Sequence, residues 1–399
     1  MLLQTLAPTL AGAGLGLYSR SMQQSADPVV AVVLSPREGF GPNRTGAIGL
    51  LARRLVATPG FRTVIYGGEQ DGPIFPGIDF VALKPTIWRP GPTNVRFAIS
   101  VANALKRERP ALVEVHNRPE IALTIAARLP DIPITLILNN DPQEMRGAKT
   151  PADRAALLRK LALVMTSSAY LRGRVLDGVA SPDRLPVVLP NCLDLTELPP
   201  PRLRERLILF AGRVVAEKGP DAFVMACAAA LPHLPGWHAT IVGADRFHLN
   251  SPETVFLQSV RAAAEQASVS MAGYRDHPDV LEAMAKAAIV VVPSRWPEPF
   301  GLVALEAMAS GAALVCSPRG GLKEVAGDAA VYADPDKPEE IAAALRSLGR
   351  HEARRNQLAA AGRARAKMFD LPVIAEQLAG LRRGVLRDRA LSCHGRTRP

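Results

Sequence analysis

Short β-branched runs alternate with Ala- and Leu-rich helical runs along almost the whole chain, and that alternation limits the fold more than any other feature. Strands are expected at Val29–Leu34, Thr63–Tyr66, Leu112–Val115, Ile134–Leu138 and Leu163–Thr166. Helices are expected from about Gly46 to Ala57, then at Val95–Arg107, Glu120–Ala127 and Pro151–Leu161. A proline-rich stretch, Asn191 to Arg206 with Pro199-Pro200-Pro201 at its middle, interrupts the pattern. The alternation then resumes at Leu207–Ala211 and runs through His238–Val242, Val269–Ala272, Ile289–Val292, Ala313–Ser317 and Ala330–Tyr332. Strand–helix alternation of this kind makes parallel sheets covered on both faces. A length of 399 residues exceeds one ordinary core. The expected fold class is therefore α/β, two doubly wound Rossmann-like domains (28–190 and 207–368) facing a cleft, joined by a linker at 191–206. Ligands of such sheets bind at the carboxyl ends of the strands. Residues 1–27 are read as an extension outside the folded part.

Composition excludes several classes. Apolar residues make up 48% and charged residues 21%, as in a globular protein, and no apolar run reaches the 18 residues of a membrane span. Cys192, Cys227, Cys316 and Cys393 show no C-x-x-C pair and no nearby His at zinc spacing, so a reducing cytoplasm is the expected location and no metal site is expected. The net charge is +11, and residues 351–399 carry 11 Lys/Arg against 4 Asp/Glu. No nucleic-acid motif or aromatic platform accompanies these charges, so nucleic acid is not an expected partner. A peripheral contact with an anionic membrane face or a phosphorylated lipid fits better, as does a merely solvated Arg-rich surface.

The run PSRWPEPFGLVALEAMASG at 293–311 carries the strongest chemical signal. A helix opening near Pro299–Phe300 presents unbonded backbone N–H groups and a positive dipole end beside Glu298. Glu306 follows on a helix that is apolar all round, and a carboxylate buried there needs strong donors. Ribose hydroxyls would supply two; a structural ion pair with Arg or Lys is the alternative. Upstream, the strand Leu207–Phe210 runs into Ala211-Gly212-Arg213 and Glu217-Lys218-Gly219-Pro220. Arg213 and Lys218 at a strand's carboxyl end can neutralise a diphosphate.

These segments, together with IVGADRF (241–247) and the stretch 272–325, make the chain resemble the retaining glycosyltransferases of family 4, which have the GT-B fold. The resemblance is close in the second half and looser in the first. It implies that Glu306 holds the nucleotide's ribose and that Glu298 faces the donor sugar. The N–H groups of Phe300, Gly301 and Leu302 would bind sugar hydroxyls and diphosphate, which Arg213 and Lys218 would clamp. Gly243 and the Gly273-Tyr274-Arg275 turn would border the base. Gly46 would belong to a glycine-rich first loop that lets backbone approach the donor, and His116 would contact the sugar near the reacting carbon. Gly320-Gly321 and Glu324 would form a further strand-end loop near acceptor or phosphate. The final helix (369–385) resembles the family's crossing helix back to the first domain, with Leu371, Ile374 and Leu378 in place of the usual tryptophan, and 386–399 would be a basic tail.

The implied reaction moves a sugar from a UDP- or GDP-linked donor to an acceptor hydroxyl with retention, needing no cofactor and no metal. The acceptor would be a glycan or a lipid-linked saccharide of the cell envelope, and the chain would be cytoplasmic or peripheral on the membrane's inner face. Asp334-Pro335-Asp336 lies late and reads as a turn. Other readings are a sugar-nucleotide epimerase or phosphorylase of the same architecture and a non-catalytic relative. A nicotinamide dehydrogenase is disfavoured because no G-x-G-x-x-G follows Val29–Leu34.

Overall fold

The computed structural model describes residues 27–42, 44–245 and 253–394. The extension assigned to 1–27, apart from its last residue, and the end of the basic tail lie outside the described residues.

Two parallel sheets are present, each with the strand order of a doubly wound nucleotide-binding fold. The first holds β1 (Val29–Val33), β2 (Arg62–Gly67), β3 (Phe80–Ala82), β4 (Leu112–His116), β5 (Ile134–Leu138), β6 (Leu163–Thr166) and β7 (Val187–Val188) in the order 3-2-1-4-5-6-7. The second holds β8 (Glu205–Ala211), β9 (His238–Val242), β10 (Val269–Gly273), β11 (Ala287–Val292), β12 (Ala313–Cys316) and β13 (Ala330–Tyr332) in the order 10-9-8-11-12-13. Central strands are buried from end to end, β5 and β11 throughout, because helices cover both faces. Strand order reverses between β1 and β4 and between β8 and β11. The loops leaving β8 and β11 meet the helix after β1 and the loop after β5 in the cleft between the sheets.

Several elements exceed or differ from the sequence reading. β3 and β7 are short strands at the two edges of the first sheet, and the helices Ala169–Leu176, Val255–Gln266 and Glu352–Ala366 were not foreseen. The last helix runs from Leu371 to His394, so the first residues of the supposed tail at 386–399 continue it. Ile374 and Leu378 are fully buried on this helix, as expected, while Leu371 packs partly buried beside them. The linker is pinned rather than loose. Leu193 N–H donates to Phe369 O at 2.9 Å and Leu371 N–H donates to Leu193 O at 3.0 Å. Both chain crossings between the domains therefore lie side by side.

One polar contact anchors the final helix. Arg382 reaches Glu114 on β4 with Nη2–Oε1 2.9 Å and Nε–Oε2 3.2 Å, and both side chains are about 1% exposed. Burial works to raise the Glu114 pKa, but the Arg382 guanidinium and the His116 hydrogen bond hold it down at about 2.

Candidate active site

A cavity of about 370 Å³ lies between the strand ends of the two sheets, within the usual range for small-molecule sites. The second domain supplies most of its polar wall. β11 ends at Val292 and its following loop carries Ser294, Trp296 and Glu298; β8 ends at Ala211 and delivers Gly212, Arg213 and Lys218. Lys218 Nζ lies 2.6 Å from Glu298 Oε1, and Ser294 Oγ donates to the same oxygen at 2.8 Å. The ammonium also sits 4.9 Å from the centre of the Trp296 ring, a cation–π contact that holds it at the cavity wall. Arg213 pairs with Glu217 at 2.6 Å.

The helix Leu302–Ala309 opens onto this cluster. Its first intrahelical hydrogen bond is donated by Leu305 to Gly301 O at 3.1 Å, so the N–H groups of Leu302, Val303 and Ala304 precede the bonded register. Gly301 caps the helix at φ +107°, and a Cβ there would lie 2.6 Å from Leu322. Only glycine takes that conformation in that space without strain. Phe300 is buried and meets Phe369 edge-on at 5.6 Å. The loop is braced by a bridge between Glu298 and Gly320, with Gly321 N–H donating to Glu298 O at 2.7 Å.

The first domain contributes Ala47, Ile48 and Leu51 from the helix after β1, Asn139 and Asn140 after β5, and Asn191 at the hinge. Direct contacts tie it to the second domain: Ser168 Oγ donates to Pro299 O at 2.5 Å, and Ala169 and Tyr170 N–H both donate to the Glu324 carboxylate at 2.6 Å.

The family model of the glycosyl transferases group 1 matches residues 199–365. A curated relative, glycogen synthase of Mycobacterium tuberculosis, is 30% identical over 290 residues, spanning 67% of this chain and 67% of the relative. The chain belongs to the glycosyl transferases group 1. It is a glycosyltransferase of GT-B fold. Among solved structures, sucrose-phosphate synthase from Thermosynechococcus elongatus superposes with a TM-score of 0.74 at 19% identity, covering 90% of this chain and 100% of that one. The Anabaena HepE protein in complex with UDP-glucose gives 0.68 at 16%, covering 88% and 98%.

In this glycosyltransferase the cavity brings together Arg213, Lys218, Glu298, Phe300, Gly301 and Leu302. The other residues singled out in the sequence lie around it. Glu306 is buried as expected, and its Oε1 is 2.7 Å from Nε2 of His277 instead of an Arg or Lys. Gly243, at φ +145°, packs so closely on the Gly212 loop that a Cβ would lie 1.8 Å from Gly212 O; it keeps the strand-end loops in register rather than lining the cavity. Tyr274 is 54% exposed, and Arg275 folds back to donate to Tyr274 O at 2.9 Å. Gly46 caps the first helix beside Glu38, whose Oε1 accepts from Gly49 N–H at 3.0 Å.

His116 is buried at the end of β4, with Nε2 3.4 Å from Glu114 Oε1, and it does not line the cavity. Its Nδ1 is buried with no hydrogen-bond partner among the described residues. Glu324 caps a first-domain helix. Asp334 and Asp336 form a salt-bridge network with Arg319 and Arg295. Among the described residues no group of His, Cys, Asp and Glu is placed to hold a metal ion.

Sequence reasoning missed Ser294, Trp296, His277, Asn139 and Asn140. Ser294 and Trp296 stood inside the quoted run, and their spacing to Glu298 was a usable signal. His277, 29 positions before Glu306, gave none.

Proposed function

We propose that this glycosyltransferase is a retaining enzyme that takes a nucleoside-diphosphate sugar into the cleft and passes the sugar to an acceptor hydroxyl of a glycan or lipid-linked saccharide. The observation that carries this reading is the convergence of Lys218, Glu298, Ser294 and the start of helix Leu302–Ala309 on one cavity wall. A diphosphate seated there would compete with Glu298 for Lys218 and accept from the N–H groups of the first helical turn. Glu298, relieved of its lysine, would face the sugar hydroxyls. Glu306, already desolvated and held by His277, would take the ribose.

Charge growing on the leaving diphosphate would be met by Lys218, Arg213 and the helix end, without a requirement for a metal ion. No residue on the cavity wall stands out as a covalent nucleophile. Front-face attack, with the departing phosphate accepting the acceptor's proton, suits such a wall. Closure of the two domains would keep water from the donor. The fold shared with the HepE complex of UDP-glucose supports UDP among the candidate nucleotides. Synthesis of a cell-envelope glycan on the inner face of the membrane is the setting that the basic surface favours.

Thermal shift with UDP, GDP and ADP tests the donor assignment, since a ligand of the folded state raises the melting point more the tighter it binds. At least one nucleotide should stabilise the wild type and do so much less in Lys218→Ala. Equal shifts in both proteins, or none with any nucleotide, would overturn the reading.

A further inference from the structure

The loop between β3 and the helix Thr93–Glu108 displays two adjacent large apolar side chains to solvent: Ile87 is 79% exposed and Trp88 is 87% exposed. Burial of apolar surface favours covering both, and a Trp so placed is rare in a protein that meets only water. The loop is also stiff. Pro85, Pro90 and Pro92 fix three φ angles. Its base is clamped to the helix, with Thr86 N–H donating to Arg96 O at 3.3 Å and Arg96 Nε donating to Thr86 O at 2.8 Å. A stiff loop displays its tip without a large ordering cost on binding.

Charge defines the partner. Residues 81–96 contain Lys84, Arg89 and Arg96 and no Asp or Glu. Lys84 is paired with Glu69 at 3.0 Å, whereas Arg89, beside Trp88, makes no ion pair among the described residues. An exposed indole flanked by an aliphatic side chain and a cation matches the interfacial layer of an anionic bilayer: the ring at head-group depth, Ile in the acyl boundary, Arg on phosphate.

Position adds the reason. All strands of the first sheet are parallel, so the loop after β3 leaves the same carboxyl end that faces the cleft, at the outer edge of the sheet. We infer that the Ile87–Trp88 tip docks this glycosyltransferase on an anionic lipid bilayer, with the mouth of the first domain at the head-group plane where a lipid-linked acceptor would present its saccharide. This rests on the proposed transfer to a lipid-linked acceptor, with the first domain as its acceptor side.

The test is sedimentation of the full chain with vesicles of phosphatidylcholine alone and of phosphatidylcholine mixed with phosphatidylglycerol. Wild type should bind the mixed vesicles and bind pure phosphatidylcholine weakly. The double variant Ile87→Ser/Trp88→Ser should bind the mixed vesicles about tenfold less. Trp88→Phe should still bind but lose the blue shift of tryptophan emission that lipid produces in the wild type. Wild type left in the supernatant with both vesicles, or equal binding by the double variant, would overturn the assignment. So would unchanged vesicle binding together with loss of self-association in that variant, which would make the tip a protein contact. Nucleotide-induced thermal shifts on the same proteins report folding and the donor reading separately, so a failure of one is not mistaken for failure of the other.

Discussion

The two walls of the cleft are built from different materials. The second domain's wall is charged and tied together: Lys218, Glu298 and Ser294 share one oxygen, and Arg213 leans on Glu217. The first domain's wall is apolar and amide, with Ala47, Ile48, Leu51, Asn139 and Asn140. Among the charges buried behind it, Glu114 pairs with Arg382 and holds the final helix. One wall suits an anionic ligand such as a diphosphate. The other suits a partner recognised by shape and a few hydrogen bonds. Charge in the second domain lines the cleft, and the Glu114–Arg382 pair holds the final helix away from it.

Substitutions can break that contrast. The largest effect is expected at the buried pair: Arg382→Ala leaves the buried Glu114 with only the 3.4 Å contact to His116, which costs about 3–5 kcal/mol, measurable by denaturant unfolding. Replacing both partners with apolar residues should recover most of the loss, and failure to do so would mean that the pair has a role beyond holding the helix. Lys218→Ala should lower kcat about 10²–10³-fold while leaving the unfolding midpoint nearly unchanged. A large stability loss with normal turnover would make the two walls alike and undo the comparison.

A smaller, selective effect is expected at Glu306. Glu306→Gln should weaken nucleotide binding about ten- to hundredfold, read by calorimetry, whereas Glu298→Gln should spare the nucleotide and weaken only the intact sugar donor.

Acid sharpens the same division. Because the folded-state pKa of Glu114 is held at about 2, below its ordinary 4.5, its contribution to stability is fully present above about 4.5 and is lost as pH falls through about 2. Glu114→Gln should flatten that part of the stability–pH curve. The smallest effect is expected at the exposed pair Arg44–Asp71, where Asp71→Ala should change stability by less than about 1 kcal/mol.

Much of the fold was legible because its signal is local. The long buried strands announce themselves as β-branched runs, and the helix expected from Pro299–Phe300 as an apolar run, although it begins only at Leu302, behind Gly301. Elements without such a signal were missed. β7 has two residues, and Glu352–Ala366 buries only Ala359, Gly362 and Ala366, so its packed face is too small to register as a hydrophobic period. Of the site, the residues lining the cavity from 211–218 and 298–302 were legible because strand-end loops of a parallel sheet share one edge. His116 was placed at the correct strand end, but its side chain faces Glu114, and that choice is invisible along the chain.

Taken alone, the amino-acid order determined which stretches form strands, where the two sheets divide, and that acidic and basic groups gather at the strand ends of the second half. Only the tertiary structure decided the partners: His277 for Glu306 across 29 positions, and Arg382 for Glu114 across 268. A local pattern reports how each residue meets its own helix or strand. A buried charge is satisfied by whatever donor the packing brings within about 3 Å, and that distance is set by the assembled layers.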